Sequence, residues 1–231
     1  SKKQKQAIVD EALDRFDTAA DAWEDVYQAA LDDVAFVDEE DGQWDSSAKM
    51  ARVNRPCLTF DKVSSAVDQI VGQQLQMLPG VKVRGAEEGD SDTAEIFEGL
   101  IRQIEQRGNR AYKTAFKFAV KGGWGCWMID HDYIDDTAMD QEVIIREIKN
   151  PFSVLIDPII QVQDLKDARF GFMFEDMERD EFERLYPKAK SGLGEDFSST
   201  GNLRSWVGEE SIRVADYYRI VLEERRLVQL S

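Results

Sequence analysis

The first side chain that could do chemistry is the single histidine, His131. A Ser-His-Asp or Cys-His catalytic arrangement would have to use this residue as its base. His131 lies in the segment 127–133, where apolar and polar residues alternate with the two-residue period of a strand. We interpret it as a structural histidine and not as a catalytic base.

Acidic pairs are the second feature with possible chemistry, because carboxylate oxygens are the ligands that Mg²⁺ prefers. The pairs are Asp135 with Asp136 and Asp164 with Asp167. A chain with 46 acidic residues contains such pairs by chance. We assign no metal ligand to them, and a carboxylate-metal nuclease is kept only as an alternative function.

One glycine cluster, Gly122–Gly125, could be taken for a phosphate-binding loop. It lacks the pattern GxxxxGK[ST], and it precedes a predicted strand, so it cannot place a phosphate at a helix N-terminus. A tight turn from a helix into a strand explains it better. We therefore assign no catalytic and no cofactor-binding residue, and we predict that the protein is not an enzyme.

The cysteine count and the absence of apolar runs indicate where the protein is made. Cys57 and Cys126 are 69 positions apart, which offers neither a CxxC site nor a disulfide framework. No apolar run approaches the ~18 residues of a membrane span, and residues 1–5 do not lead into a signal peptide. These features favour a protein made in the cytoplasm without a membrane partner.

The charge of the chain is strongly negative and unevenly distributed. The 231 residues include 29 Lys and Arg against 46 Asp and Glu, a formal net charge of −17. Residues 10–45 contain fourteen acids and one base, Arg15. A sequence-reading DNA-binding protein usually has a basic face, so this composition opposes that function. We expect Trp44, Trp124 and Trp127 to lie in the core or in a contact between subunits.

The elements that position these residues begin with a long amphipathic helix, predicted over about residues 3–35. Its apolar residues recur every three or four positions, which places them on one stripe. The stripe consists of Val9, Leu13, Phe16, Ala20, Trp23, Tyr27, Ala30 or Leu31, and Val34. We expect this stripe to pack inward and the acidic face to point outward or across a subunit boundary.

Four further helices are predicted between the long helix and residue 123. A short one ends near Arg52, and the next is capped by Asp61 and carries uncharged glutamines at 69, 73, 74 and 76 on its polar face. A strand at 81–84 separates them from a helical hairpin, whose first helix begins at a capping box of Asp92 and Glu95 and ends near Gly108. The second helix of the hairpin ends at Gly122.

The second half of the chain has the pattern of a mostly antiparallel sheet. Strands are predicted at 127–133, 143–148, 152–156, 169–174 and 212–221, with a short helix at 179–186, a loop at 188–205 and a further strand beginning at 227. The predicted fold class is therefore α+β. We expect a mainly helical part over 1–123, a mainly β part over 124–231, and more protein after residue 231.

Several strings, in this order and spacing, resemble the N-terminal part of the P22-like portal proteins of tailed bacteriophages. The resemblance covers about residues 10–221. The strings are Gly42–Trp44, Arg55–Lys62, Ala94–Glu105, Ala111–Phe116, Gly122–Trp127, Asn150–Pro158, Asp167–Phe170 and Val214–Tyr218.

The resemblance implies a ring, typically of twelve subunits, at one vertex of the capsid in the virion. Such a ring is the conduit for double-stranded DNA during packaging and ejection. Its partners are the terminase large subunit, the major capsid and scaffolding proteins, and the head-to-tail adaptor. The two parts of this chain would form the wing, leading toward a stem and clip that the chain does not contain. No residue is assigned to DNA contact, and another head-to-tail connector is the alternative within the virion.

Overall fold

The computed structural model describes residues 2–38, 43–53, 55–77, 80–85, 90–135, 137, 139–162, 164–187 and 211–223. These residues form two compact units, one within 1–27 and 152–231 and the other within 28–151. The architecture is α+β with antiparallel sheets, which confirms the predicted fold class. The predicted division into wing parts at residue 123 stays a prediction.

The first unit is built on a three-stranded antiparallel sheet in the order β3-β4-β5. The strands are β3 (Val154–Ile156), β4 (Phe170–Glu178) and β5 (Ser211–Arg219). A 3-10 turn, Pro151–Ser153, leads into β3, and a short helix, α5 (Arg179–Leu185), follows β4. Residues 2–27 of the long helix α1 (Lys2–Asp38) belong to this unit. The core lies between α1 and one face of the sheet.

The second unit contains the remaining helices and a two-stranded hairpin. Its elements are residues 28–38 of α1, then α2 (Ser46–Ala51), α3 (Val63–Gln76), α4 (Ser91–Gly122), β1 (Trp127–Tyr133) and β2 (Gln141–Glu147). The hairpin pairs Trp127 with Glu147 and Ile129 with Ile145. Asp45 and Asp61 accept hydrogen bonds from the backbone N–H of Ser47 and Ser64 at the starts of α2 and α3. Hydrogen bonding to the side chains of these two serines, and secondly to their backbone N–H groups, lowers the pKa of both carboxyls.

The predicted helical hairpin over 92–122 is wrong, because α4 is one uninterrupted helix of 32 residues. Gly108 does not end a helix; it is buried inside α4. A Cβ on Gly108 would lie 2.7 Å from Cδ1 of Ile145 and 2.8 Å from its Cβ. The glycine therefore allows close packing of α4 on β2. From the sequence pattern alone, such a glycine is interpreted as the end of a helix.

Two smaller predictions in this region are also wrong. Residues 81–84 form no strand: the backbone N–H of Val83 donates to Oε2 of Glu98, 3.3 Å away, where a strand would donate to a neighbouring carbonyl. The capping box fails because α4 begins at Ser91 with Asp90 as its N-cap residue, which places Asp92 inside the first turn.

The glycine cluster is a helix-to-strand turn, as predicted. Gly123 ends α4 with φ +73°, a conformation that glycine adopts without steric penalty. A Cβ on Gly125 would lie 1.9 Å from the carbonyl oxygen of Ala115, so the backbone passes against α4 at this point. The predicted loop at 188–205 and the strand from 227 lie outside the described residues.

Candidate interaction surfaces

His131 lies at the surface of β1, with 69% of its side chain exposed. Its Nδ1 is 3.5 Å from Oδ1 of Asp130, which also pairs with Arg146 at 2.7 Å. The imidazole is therefore not buried in a core, and the polar side chain beside it is the carboxylate of Asp130 and not a hydroxyl or thiol that a histidine base could activate.

The acidic pairs close local turns. Asp135 accepts hydrogen bonds from the backbone N–H and the hydroxyl of Thr137, and Asp167 accepts one from the N–H of Gln161. Asp164 pairs with Lys166, and Asp136 lies outside the described residues. In the part of the chain that the structure describes, no three His, Cys, Asp or Glu side chains are grouped to hold a metal ion.

The apolar stripe of α1 packs against the sheet of the first unit. The Phe16 ring makes edge contacts with Phe172 and Phe174 at centroid distances of 5.4 and 6.2 Å, and it is 2% exposed. Tyr27 is equally buried and donates its hydroxyl proton to the carbonyl of Val154. These contacts confirm that the stripe predicted from the sequence is a packing surface.

A buried carboxylate, Asp157, fixes the segment between β3 and β4. Its oxygens accept hydrogen bonds from the backbone N–H of Ile159 (3.1 Å) and of Arg169 (3.2 Å), and from Nε of Arg169 (2.7 Å). Asp157 is fully buried, whereas 60% of the Arg169 side chain is exposed. Hydrogen bonds from the Arg169 guanidinium lower the pKa of Asp157, against the opposing effect of burial.

A second polar contact joins α4 to β2 in the other unit. Glu147 accepts a hydrogen bond from the Thr114 hydroxyl at 2.6 Å and pairs with Nε of Arg110 at 2.8 Å. The Thr114 bond is the main cause that lowers the pKa of Glu147. With Ile145 on Gly108, these contacts set the position of the hairpin along α4.

An open apolar groove lies between α3, α4 and the start of β1, with a volume of about 560 Å³; we call it the α3–α4 groove. Its apolar floor includes Tyr112, Ala115, Phe116 and Ala119 of α4. Trp127 lies against Tyr112 at a ring-centroid distance of 5.0 Å and in edge geometry. Burial and the nearby charge of Glu105 raise the pKa of Tyr112, so the phenol at the floor is neutral.

The polar boundary of the groove comes from both helices. Gln74 of α3 meets Arg102, Glu105, Gln106 and Asn109 of α4 there. The side-chain oxygen of Gln74 is buried and has no hydrogen-bond partner among the described residues. The groove thus combines an aromatic floor with an acceptor that can take a hydrogen bond from whatever fills it.

The two thiols differ in their surroundings. Both cysteines are free and partly buried. Cys126 lies behind the glycine turn, with its Sγ 4.0 Å from the carbonyl oxygen of Pro151. Burial raises the pKa of Cys126 to about 11. A thiol with this pKa stays protonated at neutral pH and is a poor nucleophile.

In the part of the chain that the structure describes, these surfaces are contacts and grooves. The family model of phage P22-like portal proteins matches residues 13–231. The chain belongs to this family. A search of curated proteins finds no match to the chain.

Membership in the P22-like portal family gives the chain a structural role. It is a component of the phage virion that assembles into an oligomeric ring and meets the capsid and DNA. None of the described helices of this portal protein is long and apolar enough to cross a lipid bilayer.

Sequence reasoning missed two features of this portal protein. The pairing of Asp157 with Arg169 had only a weak signal, an Asp-Pro turn followed twelve residues later by a base. The α3–α4 groove had a partial signal in the sequence, which consisted of the glutamine face of α3 and the tryptophan beside the glycine cluster. Trp124, one of the three tryptophans expected in the core or in a subunit contact, is half-buried, and its indole N–H donates to the carbonyl oxygen of Pro151 at 3.0 Å.

Proposed function

We propose that this chain is a wing-forming subunit of a portal ring at the unique vertex of the capsid. The ring is the conduit for double-stranded DNA during packaging and ejection, and it docks the terminase large subunit and the neck or tail proteins. The match to the P22-like portal family over residues 13–231 carries this proposal.

The charge distribution supports a conduit. A protein that neutralises several phosphates binds DNA with strong, salt-dependent affinity, which would act as a brake on a moving duplex. This chain has a net charge of −17, and many of its acids lie on the exposed face of α1. A body of this charge passes DNA without retaining it.

The two sequence parts form different portions of the wing in this proposal. Residues 1–123 supply most of the helical portion, and residues 124–231 supply the β portion that leads toward the stem and clip. The ring has twelve copies, with the major capsid protein, the scaffolding protein and the head-to-tail adaptor as its other partners.

Electron microscopy of the full-length protein tests the proposal. We expect rings with a central hole wide enough for a DNA duplex, and native mass spectrometry should give the mass of twelve subunits. Compact monomers, or an assembly without an axial opening, would contradict it. A nuclease assay with Mg²⁺ or Mn²⁺ should show no turnover, whereas cleavage would favour the carboxylate-metal alternative.

A further inference from the structure

The α3–α4 groove has the composition of an interface that is not yet filled. Its floor holds three aromatic rings, those of Tyr112, Phe116 and Trp127. Trp127 remains 41% exposed although it contacts Tyr112. Large apolar groups left in contact with water and lining a concave surface mark binding sites on proteins.

The apolar surface extends from the groove along the hairpin. Side chains at alternate positions of a strand share a face, so Ile129 lies on the same face of β1 as Trp127. The register places Val143 of β2 on this face too, opposite His131. Ile129 and Val143 are 63% and 49% exposed. The same face packs on α4 through Ile145, so Ile129 and Val143 extend the exposed apolar surface only along the part of the hairpin that α4 leaves open.

Gln74 adds an independent observation. Its side-chain oxygen is buried in the wall of the groove, and it accepts no hydrogen bond from any described residue. A buried acceptor without a donor destabilises a fold, because the atom has lost its hydrogen bond to water and gained none in return. An occupant that brings an N–H group into the groove removes this penalty.

We propose that a neighbouring copy of this chain fills the α3–α4 groove in the assembled ring. This inference rests on the proposed function. A closed ring joins two different faces of each subunit, so a groove on one of these faces receives a segment that protrudes from the facing surface of the next copy.

The chain itself displays segments that could fill such a groove. Leu58 and Phe60 lie two residues apart in the segment 55–60, which has no helix or strand assignment, and they are 63% and 73% exposed. A second copy can therefore supply large apolar side chains together with backbone N–H groups. This sequence therefore contains both kinds of group that an occupant of the groove needs.

A photo-crosslinking amino acid at Gln106, an exposed position that lines the groove, tests this in full-length rings. We expect a covalent dimer of two copies on irradiation, with the cross-linked peptides identified by mass spectrometry. The same amino acid at Gln103, an exposed position of α4 outside the groove lining, is the control and should give at least tenfold less dimer. A cross-link to another virion protein, or no dimer from assembled rings, overturns the proposal.

A matched pair of substitutions gives a second measurement. Asn109→Arg places a long charged side chain in the groove, and Gln103→Arg places the same charge elsewhere on α4. Both positions are exposed, so both variants should fold with unchanged thermal midpoints. We expect Asn109→Arg to lower the ring fraction at least tenfold and Gln103→Arg to leave it unchanged. Equal ring fractions overturn the groove assignment, whereas failure of the wild-type protein to form any ring overturns the proposed function.

Discussion

At the scale of single residues, Asp157 has the largest set of polar contacts in the first unit. It is a buried carboxylate that holds two backbone N–H groups and one guanidinium. The sequence predicted a turn at this place, but it could not predict the pairing with Arg169, because any of many bases could meet any of 46 acids. Asp157 pairs with Arg169 because both lie where β3 and β4 meet and Asp157 is buried there. That burial can be known only once the pairing of β3 with β4 is known.

Replacement of this carboxylate should destabilise the fold strongly. Asp157→Ala leaves two backbone donors of a buried segment without their acceptor and removes the partner of Arg169, so we expect a loss of about 3 kcal/mol in the free energy of unfolding. Urea denaturation followed by circular dichroism measures it. Asp164→Ala, at an exposed acid nearby, is the control and should change stability by less than about 0.5 kcal/mol. Equal effects of the two variants would contradict the assignment.

The same carboxylate makes stability depend on pH in the acid range. The pKa of Asp157 is lower in the folded state than its ordinary value of 3.8, so the unfolded chain binds its proton first as the pH falls. Stability from this group is complete above about pH 4 and is lost as the pH falls through the folded pKa. Asp157→Asn should therefore show a flatter decline in unfolding free energy below pH 4 than the wild type. Parallel curves for the two proteins would refute this.

At the scale of elements, the regular periodic segments could be predicted and the close packing between elements could not. The stripe of α1 is a strong signal because it has one buried face. The alternation of β1 and β2 is a strong signal because it has the two-residue period of a strand. In the sequence, Gly108 could mark either the end of a helix or a point where another element packs closely on a helix. Only the position of Ile145 in the structure decides between these two interpretations. The α3–α4 groove is harder still to predict from the sequence, because it depends on how α3 and β1 pack beside α4.

Two glycines of the same helix should respond oppositely to alanine. A Cβ at Gly99 meets nothing within 4 Å, so Gly99→Ala should stabilise the fold by about 0.5–1 kcal/mol through helix propensity. A Cβ at Gly108 would overlap Ile145, so Gly108→Ala should destabilise it by about 1–3 kcal/mol through overpacking. Thermal unfolding of both variants measures the difference. The same sign for both would mean that α4 does not pack on β2 at this position.

The contact of α1 with the sheet is testable with a second pair of variants. Phe16 is 2% exposed between Phe172 and Phe174, so Phe16→Ala should reduce stability by about 3–5 kcal/mol. Val26, also on α1, is 49% exposed, and Val26→Ala should have an effect below about 1 kcal/mol. Chemical denaturation compares them. A small effect at Phe16 would show that the stripe does not form the core.

At the scale of the whole molecule, the net charge is the property on which the proposed conduit role depends. Fourteen acids against one base in residues 10–45 give the chain most of its excess negative charge. The strongest indication of function in the sequence was nevertheless the order of many short strings, none of which is diagnostic by itself. This is expected, because no single side chain is responsible for forming a ring. The function of a structural protein depends on large interaction surfaces, and such surfaces are not encoded by a short sequence motif.

The net charge of this chain predicts weak affinity for duplex DNA, the molecule that the ring conducts in the proposed function. We expect the full-length protein to bind short duplex DNA with a Kd weaker than about 10⁻⁴ M at physiological salt. Fluorescence anisotropy with a labelled duplex measures this, with a basic DNA-binding protein as the positive control. Binding in the nanomolar range that weakens steeply with salt would contradict the picture of a non-retaining conduit.

The buried thiol behind the glycine turn has a practical consequence for following the assembly. Because the sulfur of Cys126 is protonated and shielded at neutral pH, a maleimide dye should attach to Cys57 first. Residues 1–231 would then carry one fluorophore at a known place without any engineered substitution. Energy transfer between donor- and acceptor-labelled batches could report subunits meeting in real time.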